Sequence, residues 1–324
     1  MKSHSFSDSA SIHSSSNLQA TPTRTWTSYA AAIAYALIIG FSFLFVKMTV
    51  YTASPFDVLA HRFLLSVLVM AVPIRLGWIR ISVRAADLKR MLPLALLSPV
   101  LYFTLQAFGL LYASSSEAGI IQATVPVFTL LLAAYILKER TRWLQKVSLL
   151  VSVAGVILIF VMQGNAGFRA DHLGGIVLLI GSALAFAGYS VLMRPLTRVY
   201  NPLELTWVTM LTAAIMFNVI ALIRHFAAGN WIDYVQPLTQ PSYMMALLYL
   251  GVLSSLGTTL LSSYALSRLK ATQMSVFSNI STIVSMIAGT IILHEQLLLY
   301  HVIGAVLIIG GVLGTNWNGR RKGK

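Results

Sequence analysis

The sequence predicts an all-α membrane protein of ten transmembrane helices, arranged as two inverted five-helix repeats. Three observations predict it. The 324 residues are 57% hydrophobic and only 10% charged, whereas a soluble domain carries about 25% charged residues. Ten apolar stretches of roughly spanning length, about 20 residues each, follow a polar N-terminal segment. The cations between those stretches alternate from one side to the other, as a membrane imposes.

The composition also excludes classes. The chain is too apolar to stay disordered. It has no cysteine, which removes disulfide frameworks, CxxC redox sites and thiolate metal sites together. Its net charge of +14 would suggest nucleic acid in a soluble protein, but no basic stripe interleaved with aromatics is present. There is no GxxxxGK[ST] P-loop, HExxH or GxSxG. The seven histidines are scattered without metal-ligand spacing. No cofactor is expected, and the nine carboxylates sit mostly at span ends, which argues against a membrane-embedded enzyme.

Residues 1–26 hold eight serines and no apolar run, so they read as a disordered cytoplasmic tail rather than a signal peptide. The expected spans are 27–48, 56–76, 91–112, 116–137, 144–163, 173–193, 203–224, 242–265, 271–293 and 298–317. Pro93 and Pro99 fall inside the third, where neighbouring helices must satisfy the freed carbonyls. Residues 318–324 form a basic cytoplasmic tail. With the N-terminus inside, nineteen Lys and Arg fall in cytoplasmic pieces and only Arg169 and Arg224 outside; Lys47 and Arg62 lie within spans. That asymmetry puts both termini in the cytoplasm and supports the count of ten. Short loops and the missing signal peptide suit a bacterial plasma (inner) membrane.

The halves repeat. Residues 123–159 align without gaps on 279–315, matching Glu139 with Glu295, Ser148 with Gly304 and Gly155 with Gly311. Residues 43–57 align on 190–204, matching Lys47 with Arg194, Pro55 with Pro202 and Asp57 with Glu204. Each half is thus a five-span unit, 27–163 and 173–317. Five is odd, so the second unit enters the membrane from the opposite side. Inverted repeats are a transporter architecture, with the binding site near the midplane where the repeats meet.

The run Ala118, Gly119, Pro126, Val127, Phe128, Thr129, Leu131, Leu132, Ala133, Lys138, Glu139 and Arg140 resembles the pattern of EamA-domain proteins of the drug/metabolite transporter superfamily. Gly155, and the opening with Lys47, Pro55 and Arg62, fit the same pattern. The second repeat keeps Glu295, Gly304 and Gly311 but has Thr282 where the first has Pro126. The resemblance covers about residues 28–315. It implies a central cavity from the first four spans of each repeat, peripheral fifth spans, and secondary transport, often export.

Glu117 is the candidate for proton coupling, because an intramembrane carboxylate should face the bundle interior or a water-filled cavity. The competing reading makes it a cap on the helix that follows Ser114. Arg62 could clamp a carboxylate or phosphate, or snorkel to headgroups near Asp57. Lys47, at the end of the first span, is expected to snorkel. Substrate-cavity candidates are Arg62, Tyr102, Gln106, Gln122, Thr124, Tyr189, Thr258, Ser278, Asn279 and Thr282. The repeat pairs Gln122 with Ser278 and Pro126 with Thr282, which favours the fourth and ninth spans as cavity walls. Pro126, Glu139, Gly155, Glu295, Gly304 and Gly311 are read as structural, the two glutamates closing the turns after the fourth and ninth spans beside Arg140 or His294. Gly310 and Gly314 form a GxxxG that packs within the chain or between the protomers of a homodimer.

The expected function is secondary transport, in the direction of export, of a small organic metabolite or drug-like molecule by alternating access, with a proton gradient as the expected energy source. The expected partners are that substrate and the lipid bilayer. A lipid or lipid-precursor flippase is the alternative, and a non-transporting receptor stands further back.

Overall fold

The computed structural model describes residues 22–136, 143–165, 170–197, 199–266 and 271–316, and over them the chain is all-helical. The expected tail 318–324, Glu139 and most of the stretch 1–26 lie outside the described residues. Helix α1 (Pro22–Thr52) begins inside the stretch read as tail. It is followed by α2 (Pro55–Arg75), α3 (85–112), α4 (Ser115–Ile136) and α5 (Trp143–Asn165). Then come α6 (Ala170–Leu196), α7 (Pro202–Ala228), α8 (241–266), α9 (Ala271–Ile292) and α10 (Leu299–Asn316).

Seven of these, α1 to α4 and α6 to α8, are long and apolar enough to cross a membrane. Helices α5, α9 and α10 hold the further apolar stretches Trp143–Ile159, Asn279–Ile292 and Leu299–Gly314, within helices of 23, 22 and 18 residues. Of the ten expected spans, seven are thus met, among the described residues, by helices long and apolar enough to cross a membrane.

The helix starts are written in the sequence. Proline sits in the first turn of α2, α7 and α8, where its missing N–H leaves no helical bond unmade. Ser114 with Glu117, and Asn201 with Glu204, form capping boxes at α4 and α7. Gly229 ends α7 in the left-handed region at φ 65°, a conformation that glycine adopts without steric cost.

Helix α2 lies along α7, and α5 along α10; α1 packs on α8 and α9, and α6 on α3 and α4. The largest core cluster joins Phe43, Leu59, Phe63, Leu110, Phe217 and Leu250 at the centre of the bundle. The outer surface is apolar too. Leu68, Leu150, Val177, Ile215, Ile291 and Val306 are each more than half exposed. A soluble protein does not tolerate so much exposed apolar surface, whereas lipid solvates it.

Two helices are broken near their middles. In α3 the segment Leu96–Leu101 widens to a π turn, and Ser98 leaves helical geometry at φ −146°, ψ 125°. In α8 the segment Tyr249–Gly257 also widens to π-helical turns. Pro99 accounts for the first break, because proline withholds an N–H and crowds the preceding turn. The second has no proline; Gly251 and Gly257 lie in it instead.

Candidate functional site

Three constellations of polar side chains lie inside this frame. The first is at the end of the bundle remote from Pro22, here termed the distal end. Ser114 Oγ accepts the N–H of Glu117 at 3.1 Å, and Glu117 Oε2 accepts the N–H of Ser114 at 2.8 Å. Glu117 is 2% exposed, so the carboxylate is buried while capping the helix. His172 Nε2 lies 3.2 Å from its Oε2, and His301 Nε2 3.3 Å from its Oε1. The protonation of His301 follows from its other nitrogen. Nδ1 accepts the N–H of Leu298 at 3.1 Å, so the proton is on Nε2, and the ring is neutral and donates to Glu117.

Glu295 joins the same knot from the other half. Its Oε1 accepts the N–H of Ser115 at 2.7 Å, and its Oε2 accepts the N–H and Oγ–H of Ser116 at 3.0 and 2.7 Å. Glu295 therefore does not close its own turn beside His294, as expected, but caps α4. The first N–H groups of α4 lack intrahelical partners, and a carboxylate is the strongest acceptor for them. Thr282 Oγ1 donates to the Gly119 carbonyl at 3.0 Å, and Ser285 Oγ donates to the Ser115 carbonyl at 2.7 Å. These bonds lace α9 to α4. Thr282 is thus an interhelical tie.

The second constellation surrounds Arg62, about 10 Å below the distal start of α2 at 1.5 Å per residue. Arg62 is 1% exposed, so it does not snorkel. Its Nε donates to Ser255 Oγ and its Nη2 to Ser254 Oγ, both at 3.3 Å, within the break of α8. The guanidinium lies 4.2 Å from the Phe103 ring centroid. Ser66 Oγ, one turn further along α2, lies 2.8 Å from the Gly251 carbonyl, on the same break. Across the bundle, Gln106 Nε2 donates to Tyr102 Oη at 2.9 Å, just past the break in α3. Tyr102 meets Phe103 edge to face and Phe186 at a tilt, and Phe186 stacks on Tyr189. Thr258 returns its hydroxyl to the Ser254 carbonyl. Of the expected cavity residues, Arg62, Tyr102, Gln106, Tyr189 and Thr258 thus lie on or beside the two breaks.

The fourth and ninth spans are tied more tightly than expected of cavity walls. Thr124 donates within its own helix to the Ile121 carbonyl. Gln122 is half-buried beside it. Asn279, 4% exposed, has neither amide atom hydrogen-bonded, which is uncommon for a buried polar group. The side chain of Ser278 lies outside the described residues. Pro126 sits just after the pause at 123–124 that divides α4. Gly155 and Gly304 face each other where α5 meets α10, and a Cβ on Gly155 would stand 2.8 Å from the Gly304 carbonyl oxygen. Gly311 abuts Ser148 and Ser152; Gly314 faces Ser148, while Gly310 faces nothing within 4 Å. Gly304, Gly311 and Gly314 therefore pack inside the chain, and Gly310 lies on an open face.

The third constellation was not singled out from sequence. Asp57 Oδ1 lies 3.1 Å from His225 Nε2 and 3.7 Å from Arg224 Nη1. His225 Nδ1 faces the Asn230 carbonyl oxygen at 2.8 Å. A carbonyl only accepts, so Nδ1 donates there, while Nε2 faces a carboxylate oxygen. Both ring nitrogens of His225 thus face acceptors. These residues line a distal cleft of about 430 Å³ with Arg224, Asp233, Gln236 and Gln240. Tyr234, in the turn Ile232–Val235, has its pKa raised by burial and then by the charge of Asp57. His61, one turn below Asp57, stacks 4.4 Å from Tyr234 and meets Tyr243 Oη at 2.9 Å, while its Nε2 is buried and unbonded. Only the topology hinted at this grouping, since it puts residues 57 and 225 at the same end of the bundle. Lys47 also departs from expectation. It donates to the Leu110 and Ala113 carbonyls at 2.6 Å each, capping the C-terminus of α3 instead of snorkelling.

Among the described residues no three His, Asp or Glu side chains gather in a metal-holding group.

The apolar helices, the exposed apolar girdle and the buried polar groups define a multi-pass helical membrane protein. The profile of the EamA-like transporter family matches residues 26–161 and again residues 173–317. The chain belongs to that family. It is 51% identical over 296 residues to the uncharacterized transporter YcxC of Bacillus subtilis, covering 91% of this chain and 95% of that one. An uncharacterized transporter of Archaeoglobus fulgidus is 27% identical, over 84% and 92% of the two chains. A solved crystal structure shares the fold at a TM-score of 0.55 and 19% identity, covering 90% of this chain and 97% of its own.

Proposed function

We propose that the chain is a secondary transporter that exports a small organic molecule by alternating access between two inverted five-helix halves, 27–163 and 173–317. The observation that carries this reading is the pair of helix breaks. Ser98 and Ser254 stand 156 residues apart, the same offset that relates 123–159 to 279–315, and each lies in a π-widened break near the middle of its helix. Broken helices meeting near the midplane are where transporters place their substrate. The helix pairings support the reading as well. Exchanging the halves turns α1 against α9 into α6 against α4, and α1 against α8 into α6 against α3, and all four pairs are present. Helices α5, α9 and α10 complete the ten spans by this symmetry. The excess of cations in the cytoplasmic connections supports a plasma membrane setting with both termini inside.

For the coupling proton, Asp57 with His225 is a better placed carrier than Glu117. The pair sets an imidazole against a carboxylate and lines an open cleft, whereas Glu117 is engaged as a cap. The groups facing the pair are Arg224, Asp233, His61, Tyr234 and Tyr243. Asp57 occupies the repeat position of Glu204, yet Glu204 makes an ordinary capping box at α7. The two ends of the bundle are therefore chemically unequal despite the repeat.

The absence of cysteine makes the test direct. Single cysteines replacing Gln106 or Asn279 should react with membrane-impermeant maleimides applied from either side, and cysteines at Thr52 and Ser82 from opposite single sides. Labelling of Gln106→Cys and Asn279→Cys from one side only, or from neither, would remove alternating access. Labelling of Thr52→Cys and Ser82→Cys from the same side would remove the assigned topology.

A further inference from the structure

We infer that Arg62 is the anchor for a carboxylate, and that the transported molecule is a monocarboxylate with an apolar body. This deepens the transporter reading and rests on it. A guanidinium carries five N–H donors and a full charge. Here only Nε and Nη2 are used, on neutral hydroxyls at 3.3 Å, the long end of the usual range. Nη1 donates to no group among the described residues, and no carboxylate there pairs with Arg62. Asp57, which lies nearest along α2, is engaged by His225 and Arg224. A buried charge without a counter-ion is costly, and intramembrane cations ordinarily pair. The missing partner is an anion that arrives from solution.

The surroundings narrow its chemistry. Arg62 and Lys47 are the buried Lys and Arg side chains among the described residues, and Lys47 is already committed to the C-terminus of α3. One available positive charge matches one negative charge, which favours a carboxylate over a dianionic phosphate. The planar guanidinium presents a fork that fits a carboxylate with two parallel bonds. Phe63 and Phe103 flank the charge, and Tyr102 continues the aromatic wall toward Phe186. That wall suits an apolar body attached to the carboxylate. The hydroxyls of Ser254 and Ser255 hold the guanidinium at the break of α8. A bound anion would therefore pull on a segment already shifted from α-helical to π-helical bonding.

The test uses the full chain in lipid nanodiscs and measures thermal stabilisation and calorimetric binding, neither of which depends on flux. The probes are hexanoate, cyclohexanecarboxylate, benzoate and phenylacetate, each against its carboxamide, with inorganic phosphate alongside. At least one carboxylate should bind and its amide should not. Arg62→Lys should weaken that binding about tenfold and Arg62→Gln about a hundredfold, in line with loss of a charge-assisted bidentate pair. A second readout needs no ligand. Arg62→Met removes an unpaired buried charge, so the empty protein should be at least as heat-stable as the unmutated one. Binding of phosphate alone, equal binding of acid and amide, or no binding of any carboxylate would overturn the inference. So would clear destabilisation by Arg62→Met, which would make Arg62 a strut for α8. If carboxylates bind as expected but the cysteine labelling fails, the transport reading falls and the anion site stands.

Discussion

Glu295 and Ser116 are joined by two hydrogen bonds, from the backbone N–H at 3.0 Å and from the hydroxyl at 2.7 Å, onto one carboxylate oxygen. The contact crosses from the turn after α9 to the first turn of α4. It fastens one half of the chain to the other at the distal end.

Breaking that fastening should be felt in stability first. Glu295→Ala leaves the first two N–H groups of α4 without their acceptor and should cost about 3 kcal/mol, as expected for charged hydrogen bonds lost from a buried site. Ser116→Ala removes one hydroxyl and should cost about 1 kcal/mol. Thermal unfolding in nanodiscs decides. An unchanged midpoint for Glu295→Ala would mean that the bonds contribute nothing.

The two carboxylates at the distal end should separate in their response to pH. Asn in place of Asp57 can donate its amide N–H to His225 Nε2, so the contact survives without the carboxylate. Export by Asp57→Asn cells, read as metabolite accumulation in media at pH 6 and pH 8, should lose the pH dependence of the unmutated protein. Glu117→Gln keeps an oxygen for the Ser114 N–H and should keep that dependence. The reverse pattern would return the coupling role to Glu117.

Lys47 gives a third expectation. It satisfies two carbonyls at the end of α3, where a cation also meets the negative end of the helix dipole. Lys47→Met should lower stability by about 2–4 kcal/mol, whereas Arg62→Met should not lower it at all. Equal losses in the two thermal scans would argue that both cations are structural.

Packing along α5 and α10 predicts a contrast between two glycines. A Cβ at Gly155 collides with backbone, so Gly155→Ala should cost about 1–3 kcal/mol through a forced shift of the helices. Gly310 has open space around it, so Gly310→Ala should be nearly neutral. Denaturation of both variants side by side checks this, and a destabilised Gly310→Ala would point to a second chain packed on that face.

Some of this was legible in the sequence because its causes are local. Pro55, Pro202 and the Ser114–Glu117 box mark helix starts, and the repeat-matched Gly155, Gly304 and Gly311 read as structural. The α8 break was not legible, because no proline announces it. The Asp57–His225 pair joins residues 168 apart in the chain, and neither carries a signal alone. Arg62 was ambiguous for a physical reason. About 10 Å of depth is within reach of a long side chain, so only its burial separates an inward guanidinium from a snorkelling one.

The close pairing of α5 and α10 has a consequence for the whole molecule. Gly155, Gly304 and Gly311 bring the two backbones into contact, and the buried Lys47 and Arg62 lie on other helices. With no side chains to yield at that seam, neither helix can turn or slide on the other without meeting backbone. Any rearrangement of the bundle must therefore carry α5 and α10 together as one piece.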